Sequence, residues 1–183
     1  MMDVYARNGE HYRVADPAWS DPLDGSYSKR FGGRWNPPGS FSVVYLNADL
    51  GTARANARHF LTEKLRGQPF SAEDLEPTEL PVLITLDLPE RRHFDVVTPR
   101  GIIGNGLPGT YPVDGKEQTI PWAVCQPKGQ SAWNAGLAGV ACRSAAPHAP
   151  SDGEELAWFD RPDVELEAKN SQSFDDWYGA FDW

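Results

Sequence analysis

The chain has 183 residues, of which 40 % are hydrophobic and 11 % aromatic, a composition typical of one globular domain rather than a disordered chain. Its formal net charge of −9 argues against nucleic acid as a direct partner, because phosphate backbones bind basic surfaces. Two cysteines cannot form a disulfide framework or a zinc site, and no apolar run approaches the roughly 20 residues of a membrane span. With no signal peptide visible, we expect a cytoplasmic protein without a metal ion or a membrane partner.

The first half of the chain predicts two strands and one helix. β-branched and aromatic residues indicate strands near residues 12–14 and 42–46, which are separated by a loop with two Asp-Pro turns. Asp49 can cap a helix that runs to about Arg66 and ends at Gly67.

The second half predicts further strands around one short helix. The clearest strand is residues 81–88, which are apolar enough for the centre of a sheet. The other predicted elements are strands over residues 94–97, 140–142 and 156–159 and a helix over residues 130–135. Strands separated by short helices and long loops predict an α+β fold with a curved mixed β-sheet. We expect a single domain over residues 1–183, with a core of about 12–160 and an acidic, aromatic tail, residues 161–183, that is partly docked.

The most informative stretch is the segment Gly32-Gly33-Arg34-Trp35-Asn36, which a Pro-Pro-Gly turn and a strand ending at Tyr45 follow. A glycine pair allows positive φ or a close approach of the backbone to another group. The turn reverses the chain, so loop and strand together fix Arg34, whose fork of donors suits phosphate or carboxylate. On residue types alone, the other open interpretation is a β-hairpin whose arginine makes an internal salt bridge.

This segment resembles the opening motif of the RES domain family, and three later blocks are similar to that family as well. They are an alanine-rich helix at residues 52–59, a Gly-x-x-Gly segment that leads from Gly136 to Ser144, and a closing strand that ends in Phe159-Asp160. The resemblance extends from about residue 12 to about residue 160. It implies a fold similar to that of ADP-ribosyltransferases, and an activity that consumes NAD⁺, since several family members are toxins that destroy NAD⁺ or modify proteins with ADP-ribose.

The resemblance also implies site residues. Arg34, Tyr45 and Ser144 match the family's arginine, tyrosine and serine, whereas Asn56 stands where the family has a glutamate, eleven residues past the tyrosine. Asparagine can hydrogen-bond a ribose hydroxyl but carries no charge to stabilise a developing cation, so Asn56→Glu is predicted to raise NAD⁺ turnover about tenfold or more. The candidate catalytic residues are Arg34, Asn56 and Ser144, and the candidate nucleotide-binding residues are Arg34, Trp35, Tyr45 and Ser144.

The resemblance implies an enzyme that cleaves the nicotinamide–ribose bond of NAD⁺ by phosphorolysis or by ADP-ribosyl transfer. By resemblance, the chain would be the toxin of a toxin–antitoxin pair with an Xre-type helix-turn-helix antitoxin. The loss of the family's glutamate leaves alternatives open: another acid such as Glu63 or Asp49 could assist, or the site could serve another ligand. The chain could also be a nucleotide-binding module that acts through a protein partner, or a protein-interaction domain without activity.

Overall fold

The computed structural model describes residues 2–68 and 76–178, which form six strands and five α-helices. The strands are β1 (Val4–Ala15), β2 (Val43–Asn47), β3 (Val82–Val96), β4 (Gly139–Arg143), β5 (Glu154–Phe159) and β6 (Ala168–Gln172). The helices are α1 (Ser26–Phe31), α2 (Leu50–Lys64), α3 (Pro99–Gly104), α4 (Trp122–Asn134) and α5 (Phe174–Trp177), and a 3₁₀ turn covers Pro77–Glu79.

Five of the strands close into a barrel, and β6 extends the sheet at one edge of β3. The pairing order is β1-β2-β5-β4-β3, and the barrel closes because β3 also pairs with β1 along almost the whole length of β1. The β3–β4 pair is parallel, whereas the other pairs are antiparallel. The predicted α+β class with a curved mixed sheet is therefore confirmed.

Side chains alternate between the interior of the barrel and its outer surface, as the two-residue period of a strand requires. On β5, Leu156 and Trp158 belong to an interior cluster, whereas Ala157 and Phe159 pack in a second cluster outside the barrel. All five barrel strands contribute to the interior cluster, which includes Tyr5, Leu46, Leu86, Ala141 and Leu156. Because of this alternation, the adjacent Glu154 and Glu155 lie on opposite faces of β5.

Helix α2 packs on the outer surface of the barrel and carries the cap that the sequence predicts. The Asp49 carboxylate accepts a hydrogen bond from the backbone N–H of Thr52 at 2.7 Å, and Gly67 takes a φ of 73° just beyond the helix. Apolar residues of α2 pack against α5, in which Trp177 is buried. The predicted docking of the tail is confirmed for this part, while Phe181 and Trp183 lie outside the described residues. None of the helices in the described ranges combines the length and the apolarity needed to cross a bilayer.

Three elements are much longer than the sequence predicts, and one of them is β1, which begins at Val4 rather than near residue 12. Strand β3 continues through Pro89 and three exposed charged residues, because this part of it forms a two-stranded ribbon with β1 in which a proline is tolerated. Helix α4 begins at Trp122 rather than near residue 130, and it includes Pro127. A proline inside a helix removes one backbone hydrogen bond and normally indicates a helix boundary, which is why the first part of α4 is not predicted.

Candidate functional site

A cavity of about 700 Å³ lies beside the loop of Gly32–Asn36, between helix α2 and the start of strand β5. Its volume is within the range of small-molecule sites in proteins. Charged and polar side chains on its wall include those of Arg13, Arg34, Tyr45, Asn56 and Glu155. Three exposed aromatic residues, Trp19, Tyr27 and Trp122, also line it.

The glycine pair shapes the loop as predicted. Gly32 has a φ of 78°, and a Cβ atom added to Gly33 would lie 2.4 Å from the Tyr45 hydroxyl oxygen. In the Pro-Pro-Gly turn, Gly39 has a φ of 76°, which is the conformation that favours glycine. Both the positive φ and the close approach that the sequence predicts are therefore present.

Buried hydrogen bonds fasten this loop to α1 and β2. The Asn36 amide donates to the backbone oxygens of Ser28 at 2.7 Å and Phe41 at 3.0 Å. The Ser28 hydroxyl in turn donates to the Val43 carbonyl at 2.9 Å and accepts from the Val43 N–H at 2.7 Å. The loop that carries Arg34 is thus held rigidly against the strand that carries Tyr45.

Arg34 lies on the cavity wall, half-buried. Its guanidinium donates to the backbone oxygen of Ile120 at 3.0 Å. Within residues 2–68 and 76–178 it forms no ion pair with a carboxylate, so the internal salt bridge that the sequence left open does not form there. A guanidinium in this position retains donors for an anionic ligand.

Arg13 is a second arginine of the cavity, and sequence reasoning missed it. Its side chain is buried, with 8 % exposure, and one guanidinium nitrogen has no hydrogen-bond partner among the described residues. Burial lowers its pKa to about 10, although Asp21 and Asp24 oppose the shift, so Arg13 remains charged at neutral pH. Burying a charge with an unused donor is costly, and a bound anion would remove that cost.

Tyr45 is half-buried on the wall of the cavity. Trp35, which belongs to the loop before the Tyr45 strand, does not lie on that wall. The Tyr45 hydroxyl accepts a hydrogen bond from the backbone N–H of Trp35 at 3.2 Å, and burial raises the pKa of the phenol, so it stays neutral. The Trp35 ring is 0 % exposed and donates to the Cys142 sulfur at 3.4 Å. Trp35 is therefore a core residue with no surface for a ligand, contrary to its predicted nucleotide contact.

Asn56 and Ser144 meet at a carboxylate that the sequence analysis did not single out. Glu155 Oε1 accepts hydrogen bonds from the Ser144 hydroxyl at 2.5 Å and from the Asn56 amide at 3.1 Å. The Asn56 amide also donates to Asn47 Oδ1 at 2.8 Å. Ser144 is buried behind Glu155, and the next two residues, Ala145 and Ala146, reach the cavity wall.

The two acidic residues that the sequence offers as an assisting acid, Asp49 and Glu63, lie elsewhere. Asp49 uses its carboxylate to cap α2, where both Thr52 N and Thr52 Oγ1 donate to it at 2.7 Å. Glu63 is exposed and is not part of the cavity wall. In the described part of the chain, no three His, Cys, Asp or Glu side chains are placed to hold a metal ion.

The signals for Arg13 and Glu155 are weak in the sequence. Arg13 alternates with His11 and Ala15, and all three are buried, so its phase in β1 was the available clue. Glu155 faces the cavity because β5 pairs with β2 in a register that sets Ala157 opposite Tyr45. That register joins residues more than one hundred positions apart, and the sequence alone does not provide it.

Comparisons with known proteins agree with this architecture. Proteins named NAD(+) phosphorylase MbcT, from Mycobacterium bovis and from two strains of Mycobacterium tuberculosis, are 32 % identical to the chain over 130 residues. The match covers 67 % of this chain and 61 % of each relative, so it spans less than two thirds of their length.

A solved structure and a family profile cover more of the chain. One chain of the crystal structure of the M. tuberculosis MbcT–MbcA toxin–antitoxin complex matches with a TM-score of 0.71 and 24 % identity, over 96 % of this chain and 91 % of that chain. The profile of the RES domain matches residues 10–179. The chain belongs to the RES domain family.

Proposed function

We propose that this chain consumes NAD⁺, cleaving the nicotinamide–ribose bond and transferring the ADP-ribosyl group to inorganic phosphate. Membership of the RES family and the similarity to proteins named NAD(+) phosphorylase support the reaction. The observation that carries the proposal is a cavity of about 700 Å³ whose wall holds two arginines that form no ion pair with a carboxylate of the described residues. We propose in addition that the barrel is of the ADP-ribosyltransferase type.

The two arginines suit the pyrophosphate of NAD⁺. Arg13 has an unpartnered buried nitrogen, and Arg34 uses one nitrogen to hold the Ile120 carbonyl. Guanidinium groups bind phosphate oxygens through paired, charge-assisted hydrogen bonds. Trp19, whose ring centroid lies 5.4 Å from the Arg13 guanidinium carbon, offers an aromatic surface for a planar base.

The remaining polar residues suit the ribose. Asn56 and Tyr45 line the cavity as neutral side chains, and each can hydrogen-bond a sugar hydroxyl. Ser144 lies behind Glu155 and orients that carboxylate, so its role in the proposed reaction is positioning. Trp35 has no role at the nucleotide in this proposal.

The reaction balances without an external acid or base. The bond between ribose C1 and the pyridinium nitrogen breaks, and its electron pair leaves with neutral nicotinamide. An oxygen of hydrogen phosphate donates an electron pair to C1, which gives ADP-ribose 1-phosphate. Because positive charge accumulates on the ribose in the transition state, the site accelerates the step by placing negative or polar groups there.

The partner we propose is an antitoxin protein that covers the mouth of this cavity. The similar solved structure is of a toxin–antitoxin complex, and three aromatic residues, Trp19, Tyr27 and Trp122, expose large apolar surface beside the cavity. Exposed aromatic clusters of this kind are typical of protein interfaces. The chain would then be the toxin of the pair, and its expression without the partner would lower cellular NAD⁺ and arrest growth.

A second candidate is a nucleotide-binding module without turnover, which the neutral Asn56 favours. Incubation of the purified chain with NAD⁺, with and without inorganic phosphate, followed by chromatography, separates the two. We expect nicotinamide and ADP-ribose 1-phosphate in equal amounts, and only when phosphate is present. Binding of NAD⁺ in calorimetry without release of nicotinamide would favour the binding module, and transfer to the chain itself or to added protein would identify a protein acceptor.

A further inference from the structure

We infer that Glu155 is the carboxylate that stabilises the positive charge on the ribose during the reaction. The inference rests on the proposed function and names the residue that supplies its electrostatic component. It follows from the position of Glu155 in the cavity and from the groups that hydrogen-bond to it. It follows also from the hydrogen bonds that already occupy the other acidic residues of the cavity wall.

Glu155 is held by neutral donors only. Its Oε1 accepts from the Ser144 hydroxyl and the Asn56 amide, while Oε2 accepts no hydrogen bond from any described residue. No arginine, lysine or histidine in residues 2–68 and 76–178 forms an ion pair with it. The two donors fix the direction of the carboxylate without neutralising its charge, and one oxygen is left for a ligand.

The other carboxylates on the cavity wall are committed to local turns. Asp21 accepts from the backbone N–H of Leu23 at 2.8 Å, and Asp24 accepts from both the N–H and the hydroxyl of Ser26. Both aspartates also attract the Arg13 guanidinium, whose pKa they raise against the effect of burial. The negative charges of these two aspartates therefore offset the positive charge of Arg13.

The register of the sheet places Glu155 beside the residues proposed for the ribose. Glu155 pairs with Asn47, and Tyr45, two positions before Asn47, therefore points to the same face. Asn56 reaches this face from helix α2 and contacts both Asn47 and Glu155. A carboxylate at this point therefore lies beside Tyr45 and Asn56, the two residues that we propose for the ribose.

In the proposed reaction no proton is transferred to or from the Glu155 carboxylate. Its contribution is therefore a charge, which Glu155→Gln removes while the Gln carbonyl still accepts from Ser144 and Asn56. We expect Glu155→Gln to lower kcat for nicotinamide release by roughly 10²–10³-fold, with KM for NAD⁺ changed no more than about threefold, since the charge acts mainly in the transition state. A merely structural role would instead lower the melting temperature.

Glu154→Gln is the matched control, since Glu154 is the adjacent residue of the same strand and points to the opposite face. We expect it to lower the melting temperature and to leave kcat and KM unchanged at a temperature where the chain is folded. Glu155→Asp, which keeps the charge but withdraws it by one methylene, should lose less kcat than Glu155→Gln. It also provides a readout should Glu155→Gln fail to fold.

The decisive variant moves the charge. In the double variant Asn56→Glu/Glu155→Gln, helix α2 carries the charged carboxylate instead of β5. The Asn56 amide lies 3.1 Å from Glu155 Oε1, so a carboxylate at position 56 can reach the place that Oε1 now occupies. We expect this double variant to recover at least about tenfold of the kcat lost in Glu155→Gln. Absence of any recovery, or an active wild type with unchanged kcat in Glu155→Gln, would overturn the inference and leave the proposed function standing. If the wild-type chain releases no nicotinamide, the proposed function fails, and the inference fails with it.

Discussion

Glu154 and Glu155 are adjacent on β5, but the protein holds them in opposite ways. Glu154 faces the barrel interior and accepts two hydrogen bonds from Arg7, at 2.5 Å to Nε and 2.6 Å to Nη2. Glu155 faces the cavity and accepts only from neutral donors. A charge that a fixed counter-ion neutralises serves the fold, whereas a charge without one is available to a ligand.

The arginines of β1 repeat the same contrast. Arg7 is paired with Glu154 and also stacks on the Tyr5 ring at 3.3 Å. Arg13 is more deeply buried than Arg7, yet one of its guanidinium nitrogens has no partner among the described residues. Each of the two strands thus contributes one charge to an interior pair and one to the cavity.

Acidic pH should destabilise the interior of the barrel first, through protonation of His93. Its ring is 0 % exposed, and burial lowers its pKa to about 4, assisted by the nearby His11 and Arg7 charges. In the unfolded state His93 has a pKa near 6.5, so between about pH 6.5 and pH 4 it binds a proton that the folded ring does not bind. The free energy of unfolding therefore declines as pH falls through this range. We expect a loss on the order of 3 kcal/mol over that window, measured by urea unfolding at several pH values.

The control for this prediction is His93→Phe, which cannot titrate. Its free energy of unfolding should depend less on pH between 4 and 6.5 than that of the wild type, while the part due to His11, whose pKa burial also lowers, remains. Parallel pH profiles for the two proteins would show that His93 does not stay neutral in the fold. Nicotinamide release at pH 7.5 should be the same in both, because His93 does not line the cavity.

Replacing Arg13 should separate binding from stability. In Arg13→Met the affinity for NAD⁺ is expected to fall roughly 10- to 100-fold, the worth of a charge-assisted hydrogen bond to phosphate. The melting temperature should hold steady or rise, since an apolar side chain replaces a buried charge that lacks a full set of partners. Calorimetry with NAD⁺ and thermal unfolding on the same sample give both quantities.

Arg7→Met is the matched control on the same strand, and its effects should be reversed. Removing Arg7 leaves Glu154 charged and largely buried, so the free energy of unfolding should fall by about 3 kcal/mol. The affinity for NAD⁺ should not change, since Arg7 is not on the cavity wall. If both arginine variants lose stability and affinity together, Arg7 and Arg13 do not differ in role.

The parts of this site that sequence can predict are those fixed by local chemistry. Gly32, Gly33 and Gly39 each need a conformation or a close approach that few other residues allow, and Asp49 is a capping residue directly before a helix. These features depend on neighbours along the chain. The loop, the turn and helix α2 can therefore be predicted without knowledge of any tertiary contact.

The parts that sequence cannot predict depend on which strands pair. Glu155 joins Ser144 and Asn56 only because β5 lies between β2 and β4 in the barrel order. The sequence predicts a nucleotide contact for Trp35 for a related reason, because Trp35 follows Arg34 in the chain. Its ring, however, points into the core. Adjacency in a motif does not make two side chains share a surface.

For NAD⁺ binding, the paired geometry of the Arg34 donors should matter less than the positive charge of the side chain. We expect Arg34→Ala to weaken NAD⁺ binding about tenfold, and Arg34→Lys only a few-fold, because lysine keeps the charge and loses the paired donors. Calorimetry provides both constants, and Arg30→Ala is the control, since Arg30 is exposed and is not part of the cavity wall. Identical affinities for wild type, Arg34→Ala and Arg34→Lys would exclude a phosphate contact.

The smallest effect is expected for Asn56→Glu, although the sequence alone predicts a gain of about tenfold. The structure changes the expectation because the Asn56 amide lies 3.1 Å from Glu155 Oε1, so the new carboxyl would adjoin an existing one. Two carboxylates at such a distance do not both ionise readily, and the pKa of one rises. With one proton shared between them, the net charge of the pair stays near −1, and NAD⁺ turnover at pH 7 should remain within about threefold of the wild type.

The pH dependence of the same variant tests this explanation. As pH rises through the elevated pKa, the second carboxyl ionises, so turnover relative to the wild type should increase while the melting temperature falls. In the Glu155→Gln background the carboxylate at position 56 has no such neighbour, and the gain should then be present at pH 7. A large gain from Asn56→Glu alone at pH 7 would mean that Glu155 carries no charge that the reaction uses.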